Sequence, residues 1–148
     1  MDMAISFPEL SGTTTPDLDH ISSLFLKRFP EAWTEDADVT LYGDNGRFIR
    51  LSIVANPVHG LWLWHRQHEA DGKETNHVSL GNPEKLQTYV DVIDDAVTLE
   101  GLFLPPALAW LAVRDFIELE GRKSEKISWL HEDDIPAGRH WLVSVDCL

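Results

Sequence analysis

A chain of 148 residues with 43% hydrophobic content and six tryptophans can bury the core of a single domain without disulfides or metal staples. Its one cysteine, Cys147, excludes an intramolecular disulfide and fits a reducing cytosol. Twenty-five acids against twelve bases give a net charge of −13, which repels nucleic acid and anionic membranes, so neither is an expected partner.

The charge is unevenly spread. Residues 1–40 carry eight acids and two bases, residues 41–80 four and four, and residues 81–148 thirteen and six. The opening MDMAISFPEL has no basic region and no long apolar run, so no signal peptide is expected. The window Leu102–Val113 is shorter than the roughly 18–20 residues of a membrane span. These features point to one cytoplasmic domain over residues 1–148.

In chain order, Ala4–Phe7 reads as a short strand. A helix should follow, with Thr15 as N-cap, Pro16 at its first position and Asp17 and Asp19 in its first turn. Leu18, Ile21, Phe25 and Phe29 form its apolar stripe, and Pro30 should stop it. Asp38–Tyr42 and Arg47–Val54 alternate like strands around the turn Gly43-Asp44-Asn45-Gly46. Val39, Leu41, Ile49, Leu51 and Ile53 should share the buried face, with Thr40, Tyr42, Arg50 and Ser52 facing away.

Leu61–Arg66 is apolar on both faces and reads as a covered central strand. His65–His77 is polar around Asp71-Gly72 and reads as a long loop or hairpin tip, with Val78–Leu80 pairing back. Leu86–Val92 reads as a strand, Asp94-Asp95 as a turn and Ala96–Leu99 as extended.

Pro105 and Pro106 suit the first turn of a second helix, and Gly121 suits the left-handed position beyond its end. Ala109, Ala112, Val113, Phe116 and Ile117 make its apolar face, widened by Leu108 and Trp110, with Arg114, Asp115 and Glu118 opposite. Lys126–Leu130 and His140–Asp146 read as final strands joined by an acidic loop. The order β-α-β-β-β-β-β-α-β-β predicts an α+β fold: a mostly antiparallel sheet of about five to seven strands with two helices packed on it.

Chemistry-bearing patterns are sparse. His65, His68 and His77, with Glu69, Asp71 and Glu74, suggest a metal-dependent hydrolase, although an exposed polar loop accounts for the same residues. Glu132, Asp133 and Asp134 follow His131 and could face a cation or simply solvent. Asp91, Asp94 and Asp95 could supply paired carboxylates, but aspartate is common at turns. The sequence contains no Gly-x-Ser-x-Gly elbow, Walker loop or Gly-x-Gly-x-x-Gly. No catalytic residue, metal or cofactor is expected. Tyr42, Trp62 and Trp64 have the composition of a protein-binding hot spot, with core packing as the alternative, favoured for the two tryptophans.

Gly60-x-Trp62-Leu63-Trp64, then Leu104-Pro105, Ala109, Ala112, Phe116, Gly121 and Trp129, resembles the first of the numbered "Imm" families of bacterial polymorphic-toxin immunity proteins. The resemblance covers roughly residues 38–130, and Arg122-Lys123-Ser124-Glu125 stand where that family usually has a proline. It implies a non-enzymatic α+β protein encoded beside a toxin, often a deaminase acting on nucleic acid. Such a toxin needs a basic substrate cleft, and an acidic protein could be steered to it and occlude it. The acids expected at that contact are Glu69, Asp71, Glu74, Asp91, Asp94, Asp95, Glu132, Asp133 and Asp134, with Tyr42, while Phe116 and Trp129 make the fold. The partner would be the toxin domain of the neighbouring gene, bound by a monomer or weak homodimer. An adaptor that binds another basic protein is the alternative.

Overall fold

The alternating segments on either side of Gly43–Gly46 become the middle of a seven-stranded antiparallel sheet. A computed structural model describes residues 2–12, 16–92 and 95–144. Its strands are β1 (Asp2–Phe7), β2 (Leu10–Gly12), β3 (Ala37–Tyr42), β4 (Phe48–Asn56), β5 (Gly60–His68), β6 (Glu74–Leu80), β7 (Tyr89–Val92), β8 (Ala96–Leu99), β9 (Ser128–His131) and β10 (Leu142–Ser144). The large sheet runs β2-β1-β3-β4-β5-β6-β9, and β10-β8-β7 form a second sheet of three. With helices α1 (Leu18–Leu26) and α2 (Pro106–Glu118), the architecture is α+β.

Side chains alternate between the faces of a strand, so each face can be read from the register. Val39, Leu41, Leu51, Ile53, Leu61 and Leu63 share one face and form the main core with Ile21, Leu24 and Phe25 of α1 and Ala109, Ala112, Val113 and Phe116 of α2. Val54, Trp62 and Val78 point the other way, into a second core with Leu99, Leu102, Phe103 and Trp141. Strand β5 is therefore buried from both sides, as its sequence suggests. The cover over Trp62 and Trp64 is the small sheet, rather than a helix.

Helix α2 is tied at both ends. Leu104 exchanges two backbone hydrogen bonds with Leu61 (3.1 and 2.7 Å), and Pro106 takes the first helical position, where an N–H would be unsatisfied. At the far end Glu120 at C′ and Gly121 after it both have positive φ (+53° and +90°), and the Gly121 N–H donates to the Phe116 carbonyl at 2.8 Å, as in a Schellman motif. A side chain at Gly121 is disfavoured by its φ of +90°, and a Cβ there would stand 2.9 Å from Leu41 Cδ1, which would have to shift. Trp129 Nε1 donates to the Ser124 carbonyl, and Ser124 and Lys126 bond the Asp115 carboxylate. Those two partners hold the Asp115 pKa low against the raising effect of burial.

Several boundaries differ from the sequence expectation. Helix α1 is capped by Asp17, whose carboxylate accepts from His20 N–H, and it ends at Leu26, four residues before Pro30; Thr15 lies outside the described residues. The segment Leu86–Val92 is strand only from Tyr89, after a short 3-10 turn at Pro83–Lys85. The closing strands are Ser128–His131 and Leu142–Ser144, with Cys147 beyond the described residues. Leu108 is 39% exposed, so it does not widen the apolar face of α2. Thr40 faces away from the helices yet is buried, and Ile49 is only half-buried.

Candidate protein-binding face

Only part of the sheet face opposite the helices is covered. The register gives three rows on that face: Asp38–Ser52–Trp64–Val78, Thr40–Arg50–Arg66–Asn76 and Tyr42–Phe48–His68–Glu74. The small sheet reaches the first row, where Trp64 meets Trp141 edge-to-face with centroids 5.7 Å apart. The third row, at the hairpin end, lies open: Tyr42 is 46% exposed, Glu74 is exposed, and Phe48 and His68 are half-buried.

Aromatic and cationic groups interleave there. The Phe48 and His68 rings stack at 4.8 Å with planes 9° apart. Arg50 and Arg66 lie against that same Phe48 ring at 4.9 and 5.2 Å from its centroid, and Arg66 also approaches Trp64 at 5.3 Å. Arg50 Nε donates to Thr40 Oγ1. Burial raises the Asp38 pKa, partly opposed by Arg50. His68 Nδ1 is 2.9 Å from Glu74 Oε1, the carboxylate oxygen that also stands 3.9 Å from Arg66 Nε. At the sheet end a cleft of about 540 Å³ is lined by Asp2, Tyr42, Arg47, Phe48, His68 and Glu69.

The acids expected at a contact do not form one patch. Strand β5 runs on to His68 and β6 begins at Glu74, so the polar loop is a tight tip rather than the long segment His65–His77. Asp71 accepts from the Lys73 N–H within that tip, and Glu69 stands 3.5 Å from Arg47. Glu74 is a strand residue. Glu132, in a 3-10 turn after β9, accepts from Asn76 Nδ2 and so joins this end of the sheet; its neighbours Asp133 and Asp134 are exposed. Asp91 is at the opposite end, its carbonyl accepting from Asn56 beside the β4–β5 turn. The nine residues of β5 separate the two ends by roughly 25 Å. Asp95 adopts a left-handed turn (φ +54°) after β7, and Asp94 lies outside the described residues.

The histidine triad is divided by the sheet. His65 and His77 pair across β5 and β6 on the helix side, whereas His68 is on the open side. Among the described residues no group of three or more His, Cys, Asp or Glu is placed to hold a metal ion. A different row forms instead: Leu51–His65–His77–His131, across four neighbouring strands. His65 is core, 5% exposed, with Phe116 and Trp129 edge-on to its ring. Its Nε2 lies 2.7 Å from the Gly121 carbonyl, which fixes that nitrogen as the donor. Lys123 Nζ approaches His77 Nε2 at 3.1 Å; burial, then the Lys123 and His131 charges, lowers the His77 pKa.

Burial pulls the His65 pKa down to about 4, with the Gly121 bond acting in the opposite direction. An unfolded imidazole takes its proton near pH 6.5, so between pH 6.5 and 4 the unfolded chain binds the extra proton. The His65 contribution is complete above pH 6.5 and is lost as pH falls toward 4, by about 3 kcal/mol in all. His65→Gln keeps a donor for Gly121 and removes the titration. Urea unfolding of the variant should lose less stability than wild type over that window; identical pH profiles would show that His65 does not carry this sensitivity.

Phe48, Arg50 and Arg66 are the residues of this face that sequence reasoning did not assign to a site. The signal was present in the alternation that turns Arg50 outward and in the neutral charge of residues 41–80. Among the described residues no helix is long and apolar enough to cross a membrane. Comparison with family models, curated proteins and solved structures finds no match to this chain.

Proposed function

We propose that this chain is a non-enzymatic cytoplasmic binding protein that neutralises a toxin domain encoded by its neighbouring gene, a toxin that acts on nucleic acid, by occluding its basic substrate cleft. The observation that carries the binding reading is the open third row of the sheet with the arginine pair of the second row beside it, an aromatic and arginine centre bordered by Glu69, Glu74 and Glu132. Arginine and aromatic residues are the groups enriched at interface hot spots. The resemblance of the Leu104–Trp129 segment to an immunity family supports the choice of partner.

Area constrains how the partner sits. A standard interface buries roughly 800 Å² on each side. Four strands about 4.8 Å apart, open over the third row and partly over the second, offer roughly 250 Å². The remainder must come from the hairpin tips, which carry Asp44, Glu69 and Asp71. Asp91 is too distant to join that footprint, so occlusion is assigned to the hairpin end.

The test is co-expression. The C-terminal domain of the adjacent reading frame is induced in a bacterium with and without this protein, survivors are counted, and the pair is pulled down. Rescue with a stable complex is the expected result. Killing that this protein cannot prevent, or a neighbour without toxicity, would favour an adaptor that binds another protein.

A further inference from the structure

Arg50 and Arg66 are direct cross-strand partners, a position where like charges repel. They are held together by the Phe48 ring that both lie against, and the Thr40 hydroxyl accepts from Arg50 Nε. Two carboxylates flank this pair: Asp38 in the first row, which feels the Arg50 charge, and Glu74 in the third, which is engaged at 2.9 Å by His68 and stands 3.9 Å from Arg66 Nε, a buried nitrogen with no hydrogen-bond partner among the described residues. A planar guanidinium fork pre-positioned on an aromatic ring is suited to bidentate capture of a carboxylate.

We infer that the Arg50–Arg66 pair receives an acidic side chain of the bound protein. The binding surface is then bipolar: carboxylates on the hairpin tips face basic groups of the partner, while the arginine pair at the centre takes one of its aspartates or glutamates. Charge selects this occupant over nucleic acid. An extended polyanion lying across the face would meet a chain of net charge −13, with Glu69, Glu74 and Glu132 around the pair, whereas a single carboxylate on a basic partner avoids that repulsion. Opposite polarity at centre and rim also fixes the orientation of the partner, which a uniformly acidic surface cannot do.

This inference rests on the binding role proposed above, so its test has two independent parts. In the first, the full chain is titrated at low ionic strength with a hexaglutamate peptide, a hexalysine peptide and a short single-stranded oligonucleotide, followed by amide and arginine side-chain NMR shifts. Hexaglutamate should shift Phe48, Arg50, Trp64 and Arg66, and the double variant Arg50→Gln/Arg66→Gln should abolish those shifts. Shifts dispersed over other residues, no shifts, or a stronger response to the oligonucleotide would overturn the proposal.

In the second part, the double variant and Arg50→Lys/Arg66→Lys, each shown to be folded by its thermal transition, are compared with wild type for partner affinity. Affinity should fall at least about tenfold in the glutamine variant and be only partly restored by lysine, which keeps the charge but loses the fork. Wild-type rescue with an unaffected glutamine variant would sink the arginine proposal and leave the toxin reading intact. Failure of wild type to rescue, with the hexaglutamate response present, would sink the toxin reading alone.

Discussion

Gly60→Ala is expected to be among the most damaging single-methyl substitutions in this chain, because it combines a backbone clash with a positive φ. Gly60 has φ of +109°, a conformation that side-chain-bearing residues rarely adopt. A Cβ built there would stand far closer to the Leu104 carbonyl oxygen than van der Waals contact allows, and that backbone atom cannot swing aside. That oxygen accepts from Leu61 N–H at 3.1 Å, in the two-bond exchange that fastens the start of β5 to the entry of α2. Relieving the clash means separating Leu61 from Leu104, both of them buried core residues. Strain alone costs about 1–3 kcal/mol, and the broken bridge should bring the loss above about 4 kcal/mol. Against a typical total of about 5–15 kcal/mol that leaves a marginal fold. Gly138→Ala is the control, since Gly138 also has positive φ (+79°) but open space around it. Its cost should be about 1 kcal/mol. Equal melting temperatures for the two variants would show that the approach to Leu104 is not the constraint.

The parts of the fold that were legible in sequence are those where one local signal decides. Gly43–Gly46 between alternating runs gave the β3–β4 hairpin, and Pro105 with Gly121 bracketed α2 to within a few residues. What was hidden depended on distant partners. Ala96–Leu99 is extended in isolation, and nothing local reveals that it pairs with both β7 and β10 to make a second sheet. The His65–His77 segment reads as a long loop or a hairpin tip, and it is a hairpin whose strands are masked by polar residues: the alternation places His65 against Phe116 on one side and His68 against Phe48 on the other. A histidine reads as polar in sequence, whereas here the register buries one imidazole and half-exposes the next.

The site was less legible than the fold for the same reason. Tyr42, Glu69, Glu74 and Glu132 were named from composition and do gather at one end of the sheet. Asp91 was named on the same grounds and lies at the other end. Grouping acids by sequence neighbourhood cannot distinguish the two ends of a strand some 25 Å long. The arginine pair went unassigned because Arg50 and Arg66 are sixteen positions apart and become neighbours only through the β4–β5 register.

Phe116→Ala should cost about 3–5 kcal/mol, the transfer energy of a buried aromatic ring plus the cavity it leaves. Phe116 is among the largest fully buried side chains, packs in the main core and meets His65 edge-on at 5.7 Å. Its carbonyl closes the helix through Gly121, and the Gly121 carbonyl in turn holds His65, so a collapse at this position reaches the end of α2 and the centre of β5 together. Phe116→Leu fills most of the same volume and should cost about 1–2 kcal/mol. Urea unfolding of the two variants checks both figures, and a loss below about 2 kcal/mol for alanine would mean that the core can close over the gap. The leucine variant also separates stability from binding. Phe116 lies on the helix side of the sheet and Arg50 on the open side, so Phe116→Leu should lower the unfolding midpoint while leaving partner affinity at the wild-type value. Arg50→Gln/Arg66→Gln should do the reverse. If the folded leucine variant binds its partner less tightly, the contact must be sought on the helix face instead.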